Sequence, residues 1–293
     1  MKNTALILCL FSVSLAAVNL ASQELTIQGS LEWERMEFNS MVTFDLKKAG
    51  IKLPAGRSQA EAILADEYEG LIRPFIGGIQ ADSSSTLADL LDKGELSSAA
   101  LMRSVRSLPP ALSPDLSSIF ARYSVSLNDI GAELIRHSSP QRINAPLIPA
   151  PARDYTGIII IADKELPVHG KSVSALALPC LFPKIWDSDM KLVFERNMLN
   201  PEAGRKTGPV RYASQENILL AVPSSLNEDV VKRVGENPLF IMAEGLFGTV
   251  PTDPIINKED ALLILSSENN RRLLLEGRIV IVLDKKELKK NIP

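Results

Sequence analysis

Apolar residues recur at every second position in two stretches of the first half of the chain, and this period predicts half-buried β-strands. The first stretch begins at Leu31 and Trp33 and continues on the opposite parity through residues 36–46, which predicts a β-bulge near Glu34. The second stretch covers residues 119–127. Both stretches therefore indicate sheet strands with one face toward a core.

Between these strands the apolar period changes to that of a helix, from Ser58 to Phe75. Ser58 and Glu61 have the spacing of a capping box, and Gly77-Gly78 predicts the end of the helix. A weaker helical segment follows at residues 96–105. We expect the long helix to pack on the strands through Ile63, Leu64, Leu71 and Ile72, against Phe38, Val42, Tyr123 and Val125.

The second half of the chain shows short strands separated by short helices, without regular βαβ spacing. Residues 157–162 form a continuous apolar run, which is typical of a strand covered on both faces. Residues 285–290 contain four lysines and are predicted to be a solvated tail. The other predicted elements are a hairpin of residues 182–186 and 191–195, strands at 218–222, 239–247 and 278–284, and helices beginning at Asn227 and Asn257.

Four prolines without any periodic pattern mark residues 139–153 as an extended linker. The linker separates a first domain, residues 24–138, from a second domain, residues 154–293. The predicted fold class is α+β. It consists of two small domains, each a mostly antiparallel sheet with one or more packed helices, joined by the Pro-rich linker.

Residues 1–23 predict a secretory signal peptide, because one lysine precedes an apolar run and a stretch of small residues. We expect cleavage near Ala21 to Gln23 and a mature chain without a transmembrane anchor. Removal of Cys9 would leave Cys180 as the single cysteine, so no internal disulfide is expected, and Cys180 is predicted to be a buried apolar residue.

Charge and composition argue against several function classes. The formal net charge of −3 provides no basic surface for nucleic acid. Two histidines and two cysteines are too few to favour a metal site of imidazole and thiolate ligands. The sequence therefore predicts no metal and no cofactor.

Short motifs in the second domain are incomplete. Gly170-Lys171-Ser172 stands where a P-loop would end, but Glu165 occupies the position of its first glycine. The same residues begin like a nucleophile elbow, but the closing glycine of that motif is missing. Asp187-Ser188-Asp189 begins like a calcium loop, but Lys191 occupies the third ligand position, so a hairpin turn is predicted there.

The segment from Gly56 to Glu61, the long helix and the polar run from Asp82 to Thr86 resemble the LPP lipoprotein family, which includes proteins of the rings around the bacterial flagellar motor. The resemblance covers roughly residues 31–130. The second domain resembles an exported bacterial module of unknown activity. Known members of that family are lipidated, but this chain has no cysteine near its expected cleavage site, so the sequence departs from the family and favours a periplasmic subunit held by protein contacts rather than by lipid.

The expected function is that of a non-enzymatic periplasmic structural or assembly protein associated with the flagellar motor. Its expected partners are envelope or flagellar motor proteins and further copies of itself. The alternative is a periplasmic hydrolase or small-ligand-binding protein with a site around His169, Ser172 and Asp253. No catalytic, cofactor-binding or metal-ligating residue is predicted by the preferred hypothesis.

Overall fold

The computed structural model describes residues 24–218 and 226–292. The predicted signal peptide lies outside the described residues, and so does the predicted strand 218–222 beyond Ile218. The strands are β1 Leu25–Glu32, β2 Glu37–Asp45, β3 Val105–Ser107, β4 Ala111–Leu112, β5 Ser118–Ser126, β6 Ile158–Ala162, β7 Leu166–Pro167, β8 Ser174–Ala175, β9 Ile185–Asp187, β10 Leu192–Phe194, β11 Arg211–Ser214, β12 Leu239–Phe247, β13 Asp253–Ile256, β14 Ile279–Leu283 and β15 Lys289–Ile292.

The described helices connect these strands and confirm the prediction of mixed α and β structure. They are α1 Arg57–Gly77, α2 Leu87–Asp92, α3 Ser98–Arg103, α4 Leu127–Leu134, α5 Pro201–Thr207, α6 Glu228–Val234, α7 Lys258–Ser266, α8 Glu268–Leu275 and α9 Lys285–Leu288, with short 3-10 turns at Arg196–Met198 and Gln215–Asn217.

The first sheet is antiparallel, in the order β15-β1-β2-β5-β3, with β4 also paired to β5. The predicted β-bulge near Glu34 is wrong, because β1 and β2 form a hairpin in which Glu32 pairs with Glu37. The N–H of Met36 donates to the carbonyl of Trp33 at 3.2 Å and closes the turn. The apolar parity changes there because the chain reverses direction.

Helix α1 covers the inner face of this sheet, as predicted. Leu64 and Ile72 are buried at 0% exposure, whereas Ile63 and Leu71 are half-buried at the edges of the stripe. The predicted capping box is wrong, because the helix begins after Gly56 without a side-chain cap. The buried stripe is Ala60, Leu64, Tyr68, Ile72 and Ile76, at the four-residue spacing of one helix face.

The main sheet of the second half is mixed, in the order β10-β9-β13-β12-β6-β14-β11. The prediction of a mostly antiparallel sheet does not hold here, because β6 lies parallel to both β12 and β14, and β14 lies parallel to β11. Strands β6 and β14 are buried at every residue. Helices cover both faces of such strands, which explains their continuous apolar sequences.

Several local predictions in the second half are confirmed. β9 and β10 form the predicted hairpin. Asn227 caps α6, which ends at Gly235, and Asn257 caps α7. Cys180 is fully buried. Residues 136–157 contain no helix or strand, as expected for the linker.

The C-terminal residues return to the first sheet, so the prediction of a solvated tail is wrong. β15 pairs antiparallel with β1, and the N–H of Trp33 donates to the carbonyl of Leu288 at 2.9 Å. Leu288 is buried, while Lys285 and Lys289 keep exposed side chains. The prediction failed because the lysine-rich composition of this segment indicates solvent exposure. It gives no sign that Leu288 is buried or that β15 pairs with the distant strand β1.

Candidate functional site

The structure does not bring the predicted trio His169, Ser172 and Asp253 together. His169 and Ser172 are exposed on the loop between β7 and β8. No hydrogen bond joins them within residues 24–218 and 226–292. In the same loop the Lys171 ammonium donates to the carbonyls of Gly248 and Thr249 at 3.1 and 2.9 Å. This lysine therefore fixes the loop against the end of β12.

Asp253 lies instead in a closed polar cluster. Its Oδ1 accepts hydrogen bonds from the N–H of Lys184 at 3.1 Å and the hydroxyl of Thr252 at 2.9 Å. Its Oδ2 has no hydrogen-bond partner in the described part of the chain, and the carboxyl is 0% exposed. Burial raises the pKa of Asp253 above its ordinary value, although these hydrogen bonds act in the opposite direction. A carboxyl closed to solvent in this way cannot meet a substrate.

Cys180 lies in the same region and is equally closed. The Tyr212 hydroxyl donates to the carbonyl of Cys180 at 2.9 Å and accepts from its N–H at 3.0 Å. Burial raises the pKa of the Cys180 thiol far above its ordinary value. The thiol therefore remains protonated at neutral pH, and its surroundings are those of a structural cysteine.

The polar run 82–86 joins the two halves of the protein. The Asp82 carboxylate accepts from the N–H groups of Ser84 and Ser85 at 2.8 and 2.9 Å, which holds the turn closed. The carbonyl of Ser83 then accepts from the N–H of Val250 at 3.0 Å. The preceding carbonyls of Gln80 and Ala81 accept from Leu181 and Phe182 at 3.0 and 2.8 Å. Buried residues of both halves accordingly form one continuous apolar cluster.

The outward face of the first sheet is a candidate binding surface that this geometry leaves open. Along each strand, side chains alternate between the core and this face. The face holds a cavity of about 580 Å³ over β1, β2, β5, β3 and Leu108. We call it the open face, and its outward side chains are Gln28, Ser30, Asn39, Met41, Arg106, Arg122 and Ser124.

Two guanidinium groups carry the charge of the open face. Arg122 is exposed, lies 5.8 Å from the centre of the Phe120 ring and makes no ion pair with a described residue. Arg106 has a 77% exposed side chain and contacts Asp129 at 3.5 Å. Amide and hydroxyl groups surround both, and Met41 adds apolar surface. This combination suits a protein surface that carries carboxylates.

The opposite side of the same domain carries three acidic residues on α1, together with the exposed Arg73. Asp66 lies two residues before Tyr68, the centre of the buried stripe of α1, so the helical turn of about 100° per residue directs it away from the sheet. Asp66 is exposed, and Glu67 and Glu69 beside it are half-buried. None of the three forms a salt bridge with another described residue. We call these three residues the acidic side of α1.

The alternation of apolar and polar residues predicted which side chains of each strand point outward, but it did not predict that they form one binding surface. The alternation that predicted β5 also assigned Arg122 and Ser124 to the side away from the core. The pairing of Met41 with both Gln28 and Arg122 across neighbouring strands depends on register, which the pattern of one strand does not give. The outward residues of each strand could therefore be predicted, but not which strands lie side by side to form one face.

Two further structural findings concern the described residues only. They contain no group of three or more histidine, cysteine, aspartate or glutamate side chains placed to hold a metal ion. Among them, no helix has the length and apolar character needed to cross a membrane. The antiparallel pairing of β9 and β10 confirms the predicted hairpin turn, in which Asp189 contacts Lys258 at 2.7 Å and Lys191 at 3.4 Å.

Comparison with known proteins corrects the proposed family. Residues 24–133 match the family model described as Treponema pallidum Tp0624, N-terminal domain, and residues 157–285 match the model described as Treponema pallidum Tp0624, second domain. No curated protein matches the chain. The resemblance to the LPP lipoprotein and flagellar ring family is therefore wrong, while the two-domain architecture is confirmed. Two segments of the chain are thus similar to Tp0624-type domains, in the order N-terminal domain and then second domain.

Proposed function

We propose that this chain is a non-enzymatic structural or assembly protein, and that its first partner is a second copy of itself. The observation that carries the proposal is the position of Arg122 at the centre of the open face, on the side of the domain opposite to Asp66, since neither side chain forms an ion pair with another described residue. The flagellar setting rested on the family resemblance that the comparisons overturn, and it is not part of the proposal. Export to the periplasm remains a proposal that rests on the pattern of residues 1–23.

Charge complementarity supports contact between the open face of one copy and the acidic side of α1 in the next. Arg106 and Arg122 would meet Asp66, Glu67 and Glu69. Such contacts determine which surfaces pair and in which orientation, more than they add raw affinity.

Shape supports the same contact. Ala62 and Gly70 lie one helical turn before and after Asp66, and both are exposed. Their small side chains leave room for a neighbouring surface to approach the backbone of α1. The cavity of about 580 Å³ on the open face offers a complementary depression.

The two surfaces are different patches on opposite sides of the domain, so the contact is heterologous rather than two-fold symmetric. A heterologous contact leaves one free surface at each end of a pair. The proposal therefore predicts that association continues beyond the dimer as concentration rises. It also predicts that association weakens with salt, because the paired charges are exposed.

Sedimentation velocity of the purified protein over a range of concentrations tests the proposal. We expect a concentration-dependent series of species, and we expect Arg122→Glu to weaken association at least tenfold. Lys164→Glu is the matched control, because Lys164 is an exposed residue of the second domain outside the open face and should leave association unchanged. A wild-type protein that stays monomeric at all concentrations, or equal association of both variants, would overturn the homotypic contact.

A further inference from the structure

A second cavity lies where the turn between β1 and β2 meets the second domain. Its volume is about 270 Å³. The first domain contributes Glu34, Arg35, Met36 and Asn128. The second domain contributes the segments around Lys206, Arg211 and Arg233. A ligand in this cavity would contact both domains at once.

The cavity walls have an excess of positive charge, although the whole chain has a formal net charge of −3. The lining includes two carboxylates, and both already have partners. Glu34 accepts from the N–H of Ser214 and the amide of Asn217, each at 2.8 Å, and Asp229 contacts Arg211 at 3.3 Å. The basic residues of the lining are Arg35, Lys206, Arg211, Lys232 and Arg233.

The partners of these basic residues leave several donors available. Arg35 contacts Glu32 at 3.6 Å through a side chain that is 73% exposed. Lys206 is exposed and makes no ion pair inside the described ranges 24–218 and 226–292. Lys232 contacts Glu228 at 3.0 Å and Asp229 at 3.9 Å, both in the first turn of α6. The cavity therefore holds cations whose charge the protein does not fully balance.

Arg233 is the most confined of these cations. Its two terminal nitrogens donate to the carbonyls of Thr207 and Gly208, each at 2.8 Å. Its Nε is buried and has no acceptor among the described residues. Burial, together with the nearby charges of Arg211 and Arg278, lowers the pKa of Arg233 to about 10. The wall of the cavity therefore includes a buried guanidinium group with the like charge of Arg211 nearby.

We infer that this cavity binds a small phosphate-type oxyanion, either free inorganic phosphate or the phosphate group of a small phosphate monoester. Arginine presents several N–H donors in a planar fork that matches phosphate oxygens, and lysine adds a mobile ammonium. A volume of about 270 Å³ lies just below the usual range of small-molecule pockets. It therefore fits an anionic group with few additional atoms rather than a nucleotide.

Binding at this position would stabilise the contact between the domains. The anion would bridge Arg35 of the first domain and Lys206 and Arg211 of the second. A ligand that binds only the folded protein raises its stability in proportion to the logarithm of ligand concentration over Kd. The inference is independent of self-association, because none of these residues belongs to the open face or to the acidic side of α1.

Isothermal titration calorimetry with inorganic phosphate, at constant ionic strength set by chloride, tests the inference. The double variant Lys206→Gln with Arg211→Gln should bind phosphate at least tenfold more weakly than the wild type. Lys164→Gln removes one exposed lysine elsewhere and should bind within twofold of the wild type. Circular dichroism and the thermal midpoint without phosphate establish that each variant is folded, and Lys206→Gln alone serves if the double variant is not.

A second titration with glycerol 3-phosphate distinguishes the two sources of the phosphate group. A Kd at least tenfold lower than that of inorganic phosphate identifies a monoester, and an equal or higher Kd identifies free phosphate. The absence of saturable binding of both ligands to the wild type would overturn the inference. Binding that the Lys206 and Arg211 substitutions leave unchanged would overturn it equally.

Discussion

Leu64 lies at the centre of the contact between α1 and the first sheet, and its replacement by alanine tests the packing of that domain. The side chain is 0% exposed, and the buried residues Ala60 and Tyr68 lie one turn away on either side. The carbonyl of Leu64 accepts from the Tyr123 hydroxyl at 3.3 Å, a bond that the substitution leaves in place. The substitution therefore changes apolar packing and little else.

The expected loss in the free energy of unfolding is about 2 to 5 kcal/mol, the range for buried leucine to alanine, and the complete burial of Leu64 places it in the upper half. Leu71→Ala is the matched control, because the same chemical change is made in the same helix at a half-buried position. We expect Leu71→Ala to cost less than half as much. Glu69→Ala should cost no more than about 0.5 kcal/mol, as is usual for a substitution away from the core.

Urea denaturation followed by circular dichroism and by tryptophan fluorescence measures these differences. A change of 1 kcal/mol should move the thermal midpoint by about 2 to 4 °C for a chain of this size. Equal losses for Leu64→Ala and Leu71→Ala would refute the orientation of α1 described here. A loss below about 1 kcal/mol for Leu64→Ala would refute its burial.

Three further predictions concern buried polar groups and the C-terminal strand. Burial raises the pKa of Asp253 in the folded protein above its unfolded value, so the free energy of unfolding should rise as pH falls from the folded pKa toward the unfolded pKa. Urea titrations at several pH values should show that Asp253→Asn loses this part of the pH dependence. An equal pH dependence of the wild type and the variant would contradict the burial of Asp253. Tyr68→Phe removes the 3.0 Å partner of the buried Ser40 hydroxyl and should cost about 1 to 3 kcal/mol in unfolding free energy, of which a second change, Ser40→Ala, should recover a part. Ending the chain after Leu288 removes β15 and should lower the free energy of unfolding by about 1 to 3 kcal/mol. Amide hydrogen exchange should become faster in β1 but not in β6, and unchanged exchange in β1 would refute the pairing.

Local periodicity predicted the elements whose own side chains define their faces. The alternation in β5 and the helical period of α1 each come from residues within one element, and both elements were placed correctly. Asn227 and Asn257 were identified as helix caps for the same reason, since the cap and the first turn are neighbours in sequence. Such signals need no knowledge of the rest of the fold.

Features that depend on distant pairing were not predicted. The parallel arrangement of β6 with β12 and β14 joins segments separated by long stretches of sequence. The pairing of β15 with β1 joins the two ends of the described chain. An apolar run such as that of β6 indicates burial on both faces, but it does not specify the direction of the neighbouring strand.

In the candidate site, too, local features could be predicted from the sequence and features that depend on distant pairing could not. The outward position of Arg122 followed from alternation, but its place in one surface with Gln28 and Asn39 followed only from the register of three strands. The trio of His169, Ser172 and Asp253 was chosen by residue type, and burial separates its members. The family resemblance failed because an order of strand, helix and polar turn is common to many α+β domains.

A charge-swap experiment tests the central claim, that the open face binds the acidic side of α1 in another copy. Sedimentation velocity would compare the wild type, Arg122→Glu, Asp66→Lys and the double variant that carries both changes. Each single change places like charges opposite one another and should weaken association at least tenfold, whereas the double variant pairs Glu at position 122 with Lys at position 66 and should regain most of it. A double variant that associates no better than either single variant would contradict the claim.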